Sequence, residues 1–90
     1  MNTYRIKGRL RTPRGAKATC VAQATTLNPH RAWTDGLRLI QTRLPGWHLT
    51  SASLYERRPV MLLGRRLPLS YWAFLRRWDE ADTLKFKPLV

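Results

Sequence analysis

Residues 4–11 read YRIKGRLR, and this stretch decides the fold because apolar or small side chains alternate with cationic ones at every position. Successive side chains of a β-strand point to opposite faces, so the alternation predicts a strand with one apolar face and one wholly cationic face. The sequence TPRG at residues 12–15 predicts a tight turn, because Pro presets an early φ and Gly accepts a positive one. Residues 17–24, KATCVAQA, then predict a second strand that returns as a hairpin.

The register of this hairpin follows from the two faces of its strands. A loop of residues 12–16 sets Arg11 opposite Lys17 and Tyr4 opposite Ala24. Every alanine of the second strand then joins the apolar face, whereas a slip of one residue would set the alanines against the cations. The Arg11–Lys17 pair brings like charges together, which costs stability unless an anion lies between them.

Asn28 and Pro29 predict the start of a helix, because Asn is a favoured N-cap and Pro fits the first helical position. The sequence LPG at residues 44–46 predicts its end. One narrow stripe of the helical wheel is apolar and consists of Trp33, Leu37, Ile40 and Leu44. The opposite side is polar and carries Arg31, Asp35, Arg38 and Thr42. Gly36, inside the helix, predicts a close approach of the helix to the sheet.

The C-terminal half is predicted from shorter patterns. Residues 47–56 alternate as a third strand, and the sequence RRP at residues 57–59 breaks it. Residues 60–63 predict a short fourth strand or, alternatively, a buried turn of helix before a basic loop. Residues 69–81 predict a second helix, whose apolar stripe at i, i+3, i+4 and i+7 consists of Tyr71, Phe74, Leu75 and Trp78. Residues 83–86 predict a last edge strand.

These elements predict a single domain of the α+β class that spans residues 1–90. The expected architecture is a small antiparallel sheet of three to five strands, in the order ββαβ(β)α(β), with two helices packed on one face. The opposite face of the sheet would then be open to solvent. Because the cationic side of residues 4–11 must point there, the open face is expected to be strongly basic.

Charge sets this sequence apart. Lys and Arg number 17 against 5 Asp and Glu, which gives a net charge of +12. Such a field repels itself and destabilises the compact state, so it indicates a polyanionic partner. Most of the bases are Arg, whose planar guanidinium suits bidentate contacts with phosphate and stacking on bases. The alternative explanation is a GC-rich genome, which replaces Lys by Arg without functional purpose.

The candidate nucleic-acid-binding residues lie in three places. These are the N-terminal hairpin, an Arg-rich connector that contains the arginines at positions 57, 58, 65 and 66, and the predicted second helix. Cations two residues apart on a strand lie roughly 6.6–7 Å apart, so the hairpin could follow a phosphate backbone. Trp72 is predicted at the edge of the second helix's stripe, where it could stack on an unpaired base or simply cover the margin of the core. The full candidate set is Arg5, Lys7, Arg9, Arg11, Arg14, Lys17, Arg57, Arg58, Arg65, Arg66, Trp72 and Arg76.

No pattern of catalytic or metal-binding residues is found, so the chain is expected to be non-enzymatic, with no metal and no cofactor. His30 and His48 have no spacing that brings them together. The carboxylates are few, and their one cluster, Asp79, Glu80 and Asp82, resembles the end of a helix. The glycines form no phosphate-binding loop.

The sequence favours a reducing compartment, the cytoplasm. Cys20 is the only cysteine, which excludes an internal disulfide and a zinc site made of several cysteines. The N-terminus lacks the apolar segment of a signal peptide, and the longest apolar run, residues 71–75, is too short to cross a bilayer. A basic amphipathic second helix could lie on anionic lipid, but its stripe is needed for the core, so no membrane partner is expected.

Three functions agree with these features. The first is a nucleic-acid-binding accessory protein that contacts phosphates with low sequence specificity and prefers RNA or single-stranded DNA to duplex. The alternative is a phage or mobile-element effector that docks its basic face on an acidic host protein surface. The third is a small RNase toxin that uses a histidine as its base. The oligomeric state is not predicted.

Overall fold

A computed structural model describes residues 1–81 of the chain. These residues form one helix and four antiparallel strands, in the order β1 (Asn2–Arg11), β2 (Lys17–Thr26), α1 (Pro29–Arg43), β3 (His48–Leu62) and β4 (Arg65–Asp79). The strands lie in one sheet with the order β2-β1-β3-β4. The helix packs on one face of this sheet, against β1 and β2. Within the described residues no element covers the opposite face.

The N-terminal hairpin has the predicted register. Arg11 lies opposite Lys17 and Tyr4 lies opposite Ala24. The turn is closed by a hydrogen bond from Thr12 N to Ala16 O at 2.9 Å, and Gly15 adopts a φ of 89°. The positive φ explains the glycine at this position, since other residues reach that region only with strain.

The helix begins and packs as predicted. The Asn28 side chain accepts a hydrogen bond from Arg31 N at 2.8 Å, and Pro29 occupies the first turn. The apolar stripe faces the sheet, with Trp33 and Ile40 buried and the other two members packed against the core. At Gly36 the helix lies directly on β1, because a Cβ built there would be 2.3 Å from Ile6 Cδ1.

The core consists of the apolar side of β1, its neighbours in the sheet and the inner face of α1. The largest fully buried side chains are Tyr4, Ile6, Leu10, Ile40 and Leu54. Three of these belong to β1, so the apolar alternation of residues 4–11 supplies the centre of the core. The small residues of β2 leave room for the helix to approach the sheet.

The predicted break of the third strand at residues 57–59 is wrong, because β3 continues to Leu62. The pairing of β1 with β3 ends at the Tyr4–Glu56 pair, so β3 has only β4 as a neighbour beyond that point. Proline lacks a backbone N–H and is tolerated on a strand with a free edge. Pro59 therefore lies in the strand without interrupting it.

The second helix predicted over residues 69–81 is also wrong, since most of these residues belong to β4. The Leu54–Arg76 and Tyr55–Phe74 pairs leave Leu75 as an extra residue on β4. Such a bulge shifts the alternation of faces by one residue. The apolar residues at positions 71, 74, 75 and 78 therefore fall at helical spacing in a segment that is extended.

The predicted fold class is consequently corrected. Residues 1–81 have the order ββαββ with one helix, and not ββαβ(β)α(β) with two helices on the sheet. The edge strand predicted over residues 83–86 lies outside the described residues. The sheet nevertheless has one face covered by α1 and one open face.

The ends of β3 and β4 extend past the other strands as a two-stranded ribbon, residues 57–71. Leu63 and Gly64 form its turn with φ values of 50° and 78°. Positive φ at both central residues is typical of a type I′ hairpin turn. The predicted short fourth strand and basic loop are therefore parts of one long hairpin.

Glu56 lies at the base of this ribbon. Arg58 Nε is 2.8 Å from Glu56 Oε1, and the Glu56 side chain is only 16% exposed. The hydrogen bond from Arg58 lowers the pKa of Glu56 below its usual value, and hydrogen bonds from the buried Tyr4 hydroxyl and from Asn2 add to this effect. Partial burial opposes the shift without cancelling it.

We expect Gly36→Ala to destabilise the fold by about 1–2 kcal/mol, because overpacking against Ile6 outweighs the gain in helix propensity. Ile6→Val removes the nearest atom, so the double variant should lose less than the sum of the two single variants. Urea unfolding followed by circular dichroism measures all four proteins. Strictly additive losses would contradict the close contact between α1 and β1.

The lowered pKa of Glu56 predicts a pH-dependent stability. Its carboxylate stabilises the fold above the ordinary value of 4.5, and this contribution is lost as the pH falls through the lower folded-state value. Glu56→Gln should therefore be less stable than the parent at about pH 7, with the difference closing toward about pH 3. Asp35→Asn, which removes an exposed carboxylate from α1, is the control and should change the stability little. A Glu56→Gln deficit that stays constant with pH would argue against this role.

Candidate nucleic-acid interface

The open face is defined by the side chains of the four strands that point away from α1. Directly paired residues of antiparallel strands share a face of the sheet, so the observed registers assign each member. The face comprises Thr3, Arg5, Lys7, Arg9 and Arg11 from β1, Lys17, Thr19, Val21, Gln23 and Thr25 from β2, His48, Ser51, Ser53, Tyr55 and Arg57 from β3, and Trp72, Phe74, Arg77 and Asp79 from β4. The cations of the hairpin thus lie on one side of the sheet, as the alternation predicts.

The centre of the open face is strongly cationic. Within residues 1–81, neither Lys7, Arg9 nor Lys17 forms an ion pair. Lys7 and Arg77 flank Ser53 in one cross-strand row. Like charges in such a row repel each other, so an anion bound over Ser53 would relieve the repulsion.

A shallow depression of about 150 Å³ lies over this row. Its chemistry is that of an anion site, since it combines ammonium and guanidinium groups with hydroxyl donors. Ser51, at its floor, is only 8% exposed. The lining residues are Lys7, Arg9, Ser51, Ser53, Tyr55 and Arg77.

Aromatic rings of β3 and β4 lie beside the cations of the open face. The Tyr55 and Phe74 rings lie edge to face with their centroids 5.9 Å apart. Phe74 is 59% exposed, and Tyr55 is half-buried. The Arg5 guanidinium lies over the Trp72 ring at 4.1 Å from its centroid, as a cation–π pair. The open face therefore offers both positive charge and flat apolar surface.

Tyr55, Phe74 and Arg77 are members of the open face that the sequence did not predict as site residues. The predicted second helix places Phe74 in its buried stripe, and the candidate set includes Arg76 of that helix but not its neighbour Arg77. The period-two spacing of Trp72 and Phe74 was the signal that could have found them.

The candidate residues of the connector and of the predicted second helix lie on both sides of the sheet. Arg57 donates from Nε to Ser70 Oγ at 2.9 Å and lies on the side of the open face. Arg58 pairs with Tyr71 across the strands and is bound to Glu56, on the opposite side. Arg76 also faces α1, with its guanidinium 4.8 Å from the Trp33 ring centroid. Arg58 and Arg76 are therefore not part of the open face.

The remaining candidates lie at the two hairpin ends. Arg14 is exposed in the turn between β1 and β2. Arg65 and Arg66 are exposed at the far end of the ribbon, opposite Leu62 and Met61. None of these three arginines reaches the centre of the open face, because the hairpin turn and the ribbon turn lie beyond its paired rows.

The described acids of the C-terminal cluster, Asp79 and Glu80, lie at the end of β4 and not at the end of the predicted second helix. Asp79 ends β4 and lies 3.2 Å from Arg77, measured between Oδ2 and Nη2. Glu80 contacts His48 at 2.6 Å and Arg11 at 3.8 Å. Asp82 lies outside the described residues. Glu80 therefore neutralises charge at the end of the open face near the hairpin turn, whereas Asp79 neutralises part of the charge in the row of Ser53.

The two histidines lie at opposite ends of the sheet. His30 is in the first turn of α1, which begins beyond the paired end of β2, whereas His48 pairs with Arg11. The ten residues of β1 that span this distance measure about 30 Å. The geometry therefore gives no support to a nuclease that uses both histidines.

The part of the chain that the structure describes contains no candidate metal site and no candidate membrane-spanning helix. No group of three or more His, Cys, Asp and Glu residues within residues 1–81 is placed to hold a metal ion. No helix of those residues is long and apolar enough to cross a membrane. Cys20 is half-buried beside the core and forms no disulfide.

Comparison of the chain with family models, with curated proteins and with solved structures gives no match. The functional interpretation therefore depends on the open face itself.

Ser53→Glu tests the charge repulsion on the open face. A carboxylate between Lys7 and Arg77 should stabilise the free protein by about 0.2–1 kcal/mol at low salt, as opposite-charge pairs across strands do. The gain should shrink in high salt because the interaction is screened. Urea unfolding at both salt concentrations measures it, with Gln41→Glu on the outer surface of α1 as the control. Equal effects of the two substitutions would show that the row is not specially repulsive.

Proposed function

We propose that this chain is a non-enzymatic accessory protein that binds single-stranded nucleic acid, RNA or single-stranded DNA, across its open face. The observation that carries the proposal is the Tyr55–Phe74 ring pair, in which Phe74 is exposed, on the same face as Lys7 and Arg9, which form no ion pair within residues 1–81. Charge alone would suit any polyanion. An exposed ring next to the charge adds a means of holding unpaired bases, which a duplex does not offer.

The cations of β1 supply the phosphate contacts. Arg5, Lys7, Arg9 and Arg11 follow one another on one side of an extended strand, so they form a row and not a cluster. A row of cations can follow the backbone of an extended strand, and each neutralised phosphate releases counterions. Contacts of this kind carry little sequence information, so binding of low specificity is expected.

The rings supply contacts to the bases. Stacking of a base on an aromatic side chain contributes roughly 1–3 kcal/mol and accepts any base, because every base has a flat face. Phe74 is exposed and Tyr55 is half-buried beside it, whereas the Trp72 ring is covered by Arg5. We therefore assign the main stacking role to Phe74 and Tyr55, with Trp72 available when Arg5 moves to a phosphate.

The runner-up is an effector that docks the same cationic face on an acidic protein surface. Arginine and tyrosine are also enriched in protein–protein hot spots, so the open face suits that partner as well. The two functions differ in the role of the rings. Only a nucleic-acid partner requires Phe74 to contact an unpaired base.

Fluorescence anisotropy with a labelled single-stranded oligonucleotide tests the proposal. About four to six phosphate contacts predict a slope of log K against log salt of roughly −3 to −4. Lys7→Gln and Arg9→Gln should each reduce the slope by about 0.7, whereas Arg38→Gln, which removes an exposed charge from α1, should not. Phe74→Ala should weaken binding by about 5- to 100-fold without changing the slope.

Three results would contradict the proposal. The first is an affinity that does not change with salt. The second is a set of Lys7→Gln and Arg9→Gln variants that bind like Arg38→Gln. The third is a Phe74→Ala variant that binds like Leu39→Ala, its exposed apolar control on α1. The runner-up function would be supported instead if an acidic protein, and no nucleic acid, stays bound to the chain after purification with nuclease in high salt.

A further inference from the structure

The ribbon is the part of the molecule that the proposed function leaves unexplained. It projects beyond β1 and β2, and the described residues measure 52 × 31 × 21 Å along their principal axes. Residues 57–71 contribute no member to the fully buried core. A projection of this length is not required to complete the fold, so its composition indicates what it contacts.

The tip of the ribbon is apolar and its sides are basic. Met61, Leu62 and Leu63 are 56%, 58% and 96% exposed. Leu62 lies opposite Arg65 and Met61 lies opposite Arg66, so a guanidinium accompanies two of these three apolar side chains. Residues 57–71 contain no acid. The tip therefore combines groups that enter an apolar space with groups that bind anions.

Leu63 is a poor residue for the turn in which it lies. Its φ of 50° belongs to the left-handed region, where a leucine is strained and where asparagine or glycine is favoured in this turn type. Its side chain is almost fully exposed, so no contact within the described residues compensates. A strained and exposed apolar residue at a projecting tip indicates a function in contact with a partner.

The base of the ribbon continues the open face. Arg57 pairs with Trp72, and both lie on the side of β1's cations. A cleft of about 650 Å³ lies beside the base, between the ribbon and the first residues of β1. Arg57, Arg58 and Arg66 line it together with polar side chains of Asn2 and Ser70. A nucleic-acid strand on the open face thus leads to a second basic site and then to the apolar tip.

We propose that the ribbon is a wedge that recognises the junction between a single strand and a duplex. This inference rests on the proposed function, since the single strand is the part held by the open face. A two-stranded ribbon fits into a groove of a duplex, and leucine or methionine side chains can insert between base steps and unstack them. Leu62 and Leu63 would displace the terminal base pair while Arg65 and Arg66 contact the phosphates on either side.

An anionic membrane is the other partner that an apolar, basic tip could contact. The pairing across the ribbon disfavours it, because Arg65 lies directly opposite Leu62. Insertion of the tip into hydrocarbon would draw that guanidinium toward the apolar layer, which is costly. In a groove the same guanidinium meets phosphate, so the observed arrangement is complementary to a duplex.

The test compares three labelled DNAs of similar length: a single strand, a blunt duplex and a duplex with a single-stranded tail. A 2-aminopurine at the terminal pair of the tailed duplex reports unstacking by a rise in fluorescence. We expect the tailed duplex to bind about tenfold more tightly than the single strand, with a rise in fluorescence on binding. Leu62→Ser/Leu63→Asn should lose both effects and keep the single-strand affinity, because asparagine suits the left-handed turn. Leu39→Ser, an exposed leucine of α1, is the matched control.

The outcomes separate this inference from the proposed function. Single-strand binding without a junction preference, or a rise in 2-aminopurine fluorescence that survives in Leu62→Ser/Leu63→Asn, would overturn the wedge and leave the open-face proposal intact. Absence of binding to all three DNAs and to a single-stranded RNA of the same length would overturn both. Binding to phosphatidylserine vesicles that the double variant loses, with unchanged binding to the tailed duplex, would assign the tip to a membrane.

Discussion

The alternation of β1 is the constraint from which the rest of the structure follows. Its apolar side supplies Tyr4, Ile6 and Leu10 to the core, where α1 approaches so closely that only glycine fits at position 36. Because side chains alternate, burial of that side fixes the remaining side of β1 toward solvent. The cations have no other direction available to them. One strand thus determines both where the core lies and where the charge is displayed.

The sequence predicted the elements whose signals are local and uninterrupted. The hairpin register followed from unbroken alternation, and α1 followed from Asn28, Pro29 and its stripe. The prediction failed where a bulge at Leu75 broke the alternation of β4 and imitated a helical period. It failed also at Pro59, because a free strand edge is a property of the sheet and not of the local sequence. Phe74 was missed as a site residue for the first of these reasons.

The cations of the open face repel one another, and this repulsion destabilises the folded state. The acids of the described chain lie mainly at margins, where Asp79 and Glu80 meet Arg77, Arg11 and His48. In the middle rows Lys7 and Arg9 form no ion pair within residues 1–81, whereas Arg77 pairs with Asp79. A fold that is small and has little stability to lose retains such repulsion when a partner supplies the missing negative charge. Under the proposed function, the rings of β3 and β4 favour partners with unpaired bases.

Lysine acetylation footprinting tests the central claim most directly, since Lys7 and Lys17 are the lysines of residues 1–81 and both lie on the open face. Mass spectrometry would follow their brief modification in low salt, with and without a saturating single-stranded oligonucleotide. We predict that both lysines react in the free protein, are protected by the oligonucleotide and react again in high salt. Equal modification of Lys7 and Lys17 in the free and the bound protein would contradict the claim that the open face binds nucleic acid.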